Sequence, residues 1–459
     1  MFLKFLRFEL SGVPALGTGP SARPGARERS LGLGFYLSGT DGTGGALRSR
    51  VEDFSVFELS RYPRPQEDGR QVVVRLRAVD IEQNALVARL QGALRLRPAS
   101  VGFAGTKDRR AVTEQLFSFR WPPGPLPGLA LSGVTLLEAY RARDPVTLGS
   151  HYGNRFSIVV RDPRASPQEL SALLEATEEE LRSAGGFPNF FGPQRFGEVR
   201  PMTHVVGEAL LRGDPQQAVE RYLDWVDPLS PEPLDGARRR FAETHDVAAA
   251  LKEFPPAFRF ERSLLDALGR GRSGEEALRA LPRNLRMLFV HAYQSWLFNR
   301  LLTLRQERAL PLGEPVTGDR VVRLAPDGLD PGDPPIPVER ENLSEAEVWV
   351  RSGKARVVGP LVGYETPELT GEPGELLERV LEEAGIDRAA FRLPAAPDLA
   401  SRGTFRAFLA PFPALLVPSG APRIFRVGED GRSIRFDFSL EKGQYATVFL
   451  REFLKADAA

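Results

Sequence analysis

The order of sequence patterns changes twice along this chain, and the second change most constrains its fold. As far as about residue 212, short β-type runs alternate with amphipathic helical patterns, which is typical of an α/β or α+β domain. From 213 to 404 the patterns are mainly helical, with a long helix over 285–302 and Pro-rich joints. Near the C-terminus, Ile434, Phe436 and Phe438 alternate as a strand again. That strand needs partners, so we expect it to join the N-terminal sheet and the middle region to be an insertion.

This reasoning divides the chain into parts with definite boundaries. A length of 459 residues suggests two or three domains. Residues 1–34 show no apolar period and are rich in Gly, Pro, Ser and Arg, which predicts an irregular extension. We predict one discontinuous domain from 35–212 and 405–459, and an inserted domain from 213–404.

Local patterns in the N-terminal part predict particular elements. The run Phe54–Leu59, a turn at Asp68 and Gly69, and a β-rich run over 72–76 together predict a β-hairpin. A helix is expected to begin at an N-cap on Asp80. A second helix is expected after Ser166, which forms a capping box with Glu169.

Composition excludes several classes of function. The chain has no cysteine, so disulfides and thiolate metal sites are excluded, and its four histidines form no H-x-x-x-H pair. We therefore expect no metal and no cofactor. No apolar run approaches the roughly 18 residues of a membrane-spanning helix, and no targeting segment is evident, so we expect a cytoplasmic protein without membrane contact. The net charge is only +1, so any nucleic-acid surface must be local.

Two motifs place polar or aromatic groups where a core would not need them. The run GFAGTKDRRAVT at 102–113 follows a predicted strand and puts Lys107, Asp108, Arg109 and Arg110 on a loop; without other information it is a solvated turn. It lacks the Gly-Lys-Ser/Thr phosphate loop, so nucleotide hydrolysis is not indicated. The run NFFGPQRFG at 189–197 is either the cap of a hydrophobic cluster or a platform on which bases stack and amides read base edges.

Two shorter segments complete the set: EDF at 52–54, and GQYAT at 443–447 with Arg451 and Glu452 following. In this order and spacing, the four segments resemble the TruD family of tRNA pseudouridine synthases. Gly105 to Asp108 match the family's G-x-K-D segment, and 189–197 match its N-x-F-G-x-Q-R-F-G segment. The helix pattern VHAYQSWLFN at 290–299 is also similar to the family's helix ending in L-F-N. The resemblance covers about residue 35 to the C-terminus.

The resemblance implies both a fold and a reaction. It implies a pseudouridine-synthase catalytic domain with a mixed, largely antiparallel sheet, carrying an inserted α/β domain characteristic of the family. It also implies an isomerase that converts uridine in tRNA to pseudouridine, with uridine 13 in the D-arm as the default target. Matched by motif, Asp108 is the nucleophile, and Phe54, Asn189 and Tyr445 line the uridine pocket. Phe191 and Lys107 are expected neighbours in that pocket.

The chemistry suits these residue types. A carboxylate beside the sugar can stabilise positive charge at C1′, attack C1′, or remove a C2′ proton. It must be ionised for each role, and we expect a nearby cation, Lys107 or Arg110, to hold the pKa of Asp108 down. For the RNA backbone we expect phosphate contacts from a set of arginines. They are Arg109, Arg110, Arg195 and Arg200.

Two other functions remain open from the sequence. A non-catalytic RNA-binding protein could use the same cleft without chemistry. A glycosidase or nucleosidase acting through Asp108 is the second alternative, although such enzymes usually need a second placed carboxylate or a metal. The partner that the resemblance implies is tRNA, and no protein partner is indicated.

Overall fold

The computed structural model of the chain describes residues 23–60, 62–107, 110–125, 128–197, 200–227, 233–325, 333–413 and 423–456. The helices are α1 (Ala26–Ser30), α2 (Gln83–Leu94), α3 (Pro167–Ser183), α4 (Thr203–Leu211), α5 (Pro215–Asp224), α6 (Asp235–Thr244), α7 (Val247–Glu253), α8 (Arg259–Gly269), α9 (Gly274–Leu278), α10 (Arg283–Glu307), α11 (Leu343–Arg351), α12 (Gly371–Ala384) and α13 (Ala446–Leu454). The strands are β1 (Phe54–Leu59), β2 (Gln71–Val79), β3 (Gly102–Phe103), β4 (Val112–Arg120), β5 (Val134–Ala142), β6 (Gly153–Arg161), β7 (Gly186–Pro188), β8 (Arg320–Arg323), β9 (Ile336–Pro337), β10 (Ala355–Leu361), β11 (Thr404–Ala407), β12 (Leu409–Pro411), β13 (Phe425–Val427) and β14 (Ser433–Glu441). Short 3₁₀ turns occur at Val51–Asp53, Pro193–Arg195, Arg388–Arg392 and Pro397–Leu399.

The largest sheet joins both ends of the chain. Its strand order is β13-β14-β6-β1-β4-β2-β5, with β3 paired to β4. β1 and β4 run parallel, and the other neighbouring strands of this sheet are antiparallel. β14 pairs with β6 from Ser433 opposite Arg161 to Glu441 opposite Gly153. The prediction that the C-terminal strand completes the N-terminal sheet is confirmed, as is a mixed, largely antiparallel sheet in an α/β fold.

The predicted β1–β2 hairpin is wrong. β4 lies between the two strands, parallel to β1 and antiparallel to β2. The turn at Asp68 and Gly69 therefore belongs to a connection that spans the position between β1 and β2 occupied by β4. Alternation of side chains specifies a strand and its buried face, but it does not specify which strand becomes the neighbour.

Helix starts follow local capping chemistry. α3 begins at the predicted capping box, in which Ser166 N and Oγ donate to Oε2 of Glu169. α2 begins later than expected: its N-cap is Glu82, whose Oε2 accepts from Ala85 N at 3.0 Å. Asp80 instead has φ +52°, a left-handed conformation that an N-cap does not use.

The middle region has a sheet of its own, with the order β11-β10-β8-β9, all antiparallel. The long helix predicted over 285–302 is α10, and it packs against α4, α12 and β10. β11 crosses the predicted boundary at 404 and pairs with β10, after which β12 pairs with β7. The middle region therefore contacts the preceding part of the chain through α10, which packs on α4. β12, which follows the middle region, pairs with β7.

The part of the N-terminal extension that the structure describes is packed rather than detached. It contains the short helix α1, and Leu31 and Leu33 are fully buried. Arg451 of α13 donates to Glu28 Oε1 at 2.6 Å, and both side chains are about 5% exposed. Asn299 of α10 donates to Leu31 O at 2.9 Å. Residues 23–34 therefore link α10 to α13.

Candidate active site

A gap opens between β1 and β4, and Lys107 of the GFAGTKDRRAVT motif lies in it beside Glu58. The two strands pair from Ser55 opposite Val112 to Phe57 opposite Glu114, and beyond that β3 takes the place beside β4. Asp108 and Arg109 lie outside the described residues, while Lys107 and Arg110 on either side of them are described.

A buried carboxylate fills the gap. Glu58 is fully buried, and Lys107 Nζ lies 3.4 Å from its Oε2. Its Oε1 accepts from Leu116 N at 3.3 Å and from Ser60 Oγ at 3.0 Å. Glu58 therefore takes up a backbone donor of β4 beyond the end of the β1–β4 pairing, and holds the lysine that immediately precedes Asp108.

His151 packs against the same loop. A methyl group built on Gly105 would lie 3.3 Å from His151 Cε1 and 3.8 Å from Lys107 Nζ. Burial, and then the positive charge of Lys107, lower the pKa of His151. The imidazole is therefore neutral near pH 7, and Lys107 supplies positive charge beside it.

Beside the loop is a cavity of about 350 Å³. Four of the predicted site residues line it: Phe54, Lys107, Arg195 and Tyr445. The remaining lining residues supply further polar and apolar groups. They are Val56, Thr106, Asn154, Phe156, Gln194, Leu288, Gln444, Ala446 and Thr447. The four motifs that are far apart in sequence thus meet, or closely approach one another, around one cavity.

Two predicted stacking residues stand on different elements of the cavity wall. Phe54 begins β1, and its ring has Arg48 4.4 Å from its centroid and Phe156 edge-on at 6.4 Å. Tyr445 is the N-cap of α13 and is partly exposed. Its ring meets Phe191 edge-on at 6.1 Å. Phe191 itself is buried behind Tyr445 and supports that ring from the side.

Asn189 lies behind the cavity wall and is already hydrogen-bonded at both ends of its amide. Its Nδ2 donates to Ala407 O at 2.9 Å, and its Oδ1 accepts from Arg406 Nη2 at 2.6 Å. Arg406 also donates to Asn189 O and to Gly443 O, each at 2.9 Å. One guanidinium therefore ties the NFFG segment to the turn that carries Tyr445.

Arg406 is a buried cation whose hydrogen bonds go to carbonyl and amide oxygens. Its guanidinium lies 4.2 Å from the Phe191 ring centroid. Burial lowers the pKa of Arg406 to about 10, and it also lowers the pKa of Arg195. Arg195 Nε donates to Ser295 Oγ at 3.0 Å. Two largely desolvated guanidinium groups therefore give this side of the cavity a positive character.

The remaining predicted phosphate contacts differ in their surroundings. Arg110 is exposed, and one of its nitrogens donates to Ser49 O at 3.3 Å. Arg200 is used inside the protein: it donates to Tyr222 O and Trp225 O and lies 3.5 Å from Glu261. Of these two side chains, Arg110 is the one accessible to an external phosphate.

Three residues around the cavity were not found from the sequence. Glu58 lies in a predicted strand but in none of the four motifs, and Arg406 lies in no recognised motif. Asn154 lines the cavity at the start of β6, and its Oδ1 is buried with no hydrogen-bond partner among the described residues. The only sequence signal for Glu58 is a charged residue at an inward position of the FSVFEL strand, where Phe54 and Val56 precede it at two-residue spacing.

No group of three or more His, Asp or Glu side chains in the part of the chain that the structure describes is arranged to hold a metal ion. None of the described helices is long and apolar enough to cross a membrane.

Comparisons with known proteins agree with this geometry. Residues 30–453 match the family model "tRNA pseudouridine synthase D (TruD)". A Halobacterium salinarum relative named "Probable tRNA pseudouridine synthase D" is 39% identical, over 93% of this chain and 97% of its own. A Methanococcoides burtonii relative of the same name is 35% identical, over 94% and 97%. A crystal structure of a Methanosarcina mazei protein that carries the TruD name superposes with a TM-score of 0.78 at 34% identity, covering 94% of this chain and 98% of that one. The chain therefore belongs to the TruD family of tRNA pseudouridine synthases.

Proposed function

We propose that this protein isomerises a uridine in tRNA to pseudouridine, with Asp108 as the nucleophile. The observation that carries the proposal is the single cavity lined by Phe54, Tyr445 and Lys107, the residue next to Asp108 in the chain. The reaction breaks the bond from ribose C1′ to N1, turns the base and joins C1′ to C5. A proton is lost from C5 and one is gained at N1, so the atoms balance without a redox partner or cofactor.

Asp108 acts on the ribose in this proposal: its carboxylate either bonds to C1′ as the C1′–N1 bond breaks, or takes the C2′ proton as that bond breaks, which leaves a glycal and free uracil in the site. Either role needs an ionised carboxylate. Lys107, fixed by Glu58 at 3.4 Å, and the neighbouring Arg110 provide positive charge next to it in the chain. His151, which packs against the same loop, is neutral and adds no charge of its own. We propose that these cations keep Asp108 ionised.

The target uridine must leave the RNA stack to reach such a cavity. Phe54 and Tyr445 supply the aromatic faces, each contributing roughly 1–3 kcal/mol by stacking, and Phe191 holds Tyr445 from behind. Asn154 Oδ1 is our candidate acceptor for the uracil N3–H group, because Asn154 lines the cavity and this buried oxygen has no partner among the described residues. Asn189 acts in this scheme through Arg406, which joins it to the Tyr445 turn.

The RNA backbone is held by arginines in this proposal. Arg195 lines the cavity, and exposed Arg110 belongs to the same connection between β3 and β4 as Lys107. Arg109 directly precedes Arg110 in the motif, and Arg200 contributes less because Glu261 already pairs with it. Charge-assisted bonds of this type make RNA binding fall steeply with salt concentration. We propose uridine 13 of the D-arm as the target. We also propose that the protein meets its tRNA in the cytoplasm.

Pseudouridine mapping tests the proposal directly. Unmodified tRNA is incubated with wild-type protein and with Asp108→Ala, and the product is analysed by chemical labelling and mass spectrometry. Asp144→Ala is the matched control, because Asp144 is exposed and lies in the same region of the chain. We expect conversion of one D-arm uridine by the wild type and the control, and none by Asp108→Ala.

Other outcomes identify the alternatives. Binding of tRNA without conversion by any variant would leave a non-catalytic RNA-binding protein. Release of free uracil from uridine would indicate a nucleosidase. Conversion at a uridine outside the D-arm would keep the reaction and overturn the assignment of uridine 13.

A further inference from the structure

A second cavity, of about 190 Å³, lies next to the first. Gln444 lines both. One side of the second cavity is the turn after β14, which includes Glu441 and Lys442, and the other side is the sheet of the middle region. The second cavity is therefore bounded both by the domain that carries the proposed catalytic loop and by the sheet of the middle region.

The sheet side of this cavity is a flat, largely apolar surface. Side chains on strands alternate between faces, and the register sets Arg356 opposite Val322 and Val358 opposite Ala407. One face of β8, β10 and β11 therefore looks towards the turn. The residues of this face that line the cavity are Val322, Leu324, Arg356, Val358, Phe405 and Ala407. Phe405 is only partly buried, so its ring is available to a ligand.

The rim of the second cavity is polar and mainly basic. Arg356 Nη1 and Nη2 each donate to a carboxylate oxygen of Glu441 at 2.6 Å, which neutralises the acid. Gln444 Nε2 donates to the same carboxylate at 3.2 Å. Lys442 is an exposed lining residue, and Arg320 lies just outside the lining, opposite Val358 in the register of β8 and β10, with its guanidinium 5.9 Å from the Phe405 ring centroid. Arg320 Nε is buried without a hydrogen-bond partner among the described residues.

An aromatic ring on a sheet face, apolar walls and a basic rim match the chemistry of a single-stranded RNA nucleotide. A base stacks on the ring, and its phosphate meets the cations. Monoanionic small molecules would not need the flat apolar wall, and an apolar peptide would leave Lys442 and Arg320 unused. The shared wall at Gln444 puts the two cavities one residue apart, which suits two nucleotides that follow one another along a strand.

We propose that the second cavity binds the base of a nucleotide adjacent to the target uridine, stacked on Phe405, with its phosphate beside Lys442 and Arg320. This inference rests on the proposed function, because it takes the first cavity as the uridine site. It gives the middle region a role in selecting the substrate: the sheet of that region reads the neighbour of the uridine held in the first cavity. Gln444 separates the two bases.

The test is a double-mutant cycle on RNA binding, which does not depend on turnover. Dissociation constants are measured by fluorescence anisotropy for D-arm hairpins in which each nucleotide flanking the target is replaced, one at a time, by an abasic nucleotide. We expect one flanking position to lose about 10-fold or more in affinity with wild-type protein. In Phe405→Ala the same abasic replacement should reduce the affinity only slightly further, because the stacking partner of that base has already been removed.

Two further variants keep the test independent of folding. Ala407→Leu narrows the cavity while leaving Phe405 in place. It should also weaken the binding of intact hairpins and remove the effect of the abasic nucleotide on affinity. Phe260→Ala removes an exposed phenylalanine of α8 and serves as the matched control. Equal abasic penalties in wild type, Phe405→Ala and Ala407→Leu at every flanking position would overturn the subsite.

Conversion assays on the same hairpins separate the two proposals. Coupling between Phe405 and one flanking base without any pseudouridine would support the subsite and reject the proposed reaction. Pseudouridine formation without coupling at any position would reject the subsite alone. Absence of RNA binding would reject both.

Discussion

The ammonium group of Lys107 lies 3.4 Å from Oε2 of Glu58, at the place where β1 and β4 separate. Both side chains are almost fully buried, with exposures of 5% and 0%. The other carboxylate oxygen accepts from the backbone of Leu116 and from Ser60 Oγ. Glu58 thus connects the end of β1, the middle of β4 and the loop that leads to Asp108.

Replacing Glu58 with Ala should destabilise the protein by about 3 kcal/mol, because it leaves a buried ammonium and the Leu116 N–H without this acceptor. The free energy of unfolding from urea titration measures the effect. Glu138→Ala is the control, since its pair with Arg75 is solvent-exposed and worth at most about 1 kcal/mol. Similar losses for the two variants would contradict a structural role for Glu58.

Asn154→Ala should lower kcat/KM for tRNA by about 10-fold while leaving stability nearly unchanged. The reason is that Asn154 lines the cavity and its buried Oδ1 has no partner among the described residues, so removing the amide costs the proposed uracil contact and no internal bond of the protein. Steady-state kinetics on tRNA and thermal unfolding provide the two measurements. Asn84→Ala is the control, because Asn84 is exposed on α2. Unchanged kinetics for Asn154→Ala would remove this residue from the uridine site.

Arg406→Lys should raise KM for tRNA even though it conserves the positive charge. Lysine keeps the charge but not the planar fork that donates to Asn189 and Gly443 together. We expect KM for tRNA to rise by about 10-fold, since a loss of roughly 1.4 kcal/mol follows when the Tyr445 turn is no longer fixed. Arg402→Lys, at an exposed site just before β11, should leave KM unchanged. If the two variants gave the same KM, the link from Arg406 to the base site would be excluded.

How far the sequence predicts this molecule depends on the range over which its signals act. Periodicity in Ile434, Phe436 and Phe438 identified β14, and the need for hydrogen-bonding partners placed it in the N-terminal sheet. The β1–β2 hairpin failed because strand neighbours are a property of the whole sheet, and β4 is inserted between two strands that precede it in the chain.

The same difference in range separates the site residues that were found from those that were missed. Phe54, Lys107, Arg195 and Tyr445 belong to motifs, and they do line one cavity. Asn189 belongs to a motif as well, but its amide is taken up by Arg406 and Ala407, contacts made across more than 200 residues of sequence. Such contacts leave no local pattern, so no short segment could have indicated them.

His204 should make stability depend on pH in the acid range. The imidazole stacks near Trp296 and meets Phe196 edge-on, and burial lowers the pKa of His204 from 6.5 to about 4. Below pH 6.5 the unfolded chain therefore binds a proton that the folded protein does not, so stability falls as the pH drops from 6.5 towards 4. At pH 5 this single group should cost about 2 kcal/mol.

His204→Phe removes that titration and keeps an aromatic ring on α4. The difference in unfolding free energy between variant and wild type should shift in favour of the variant by about 2 kcal/mol between pH 7 and pH 5, measured by urea unfolding at both values. His245→Asn is the control, because His245 is exposed at the end of α6 and asparagine tolerates its positive φ of 48°. No shift in His204→Phe would show that the imidazole of His204 is protonated in the folded protein at pH 5, whereas a shift of equal size in His245→Asn would show that the effect does not come from the burial of His204.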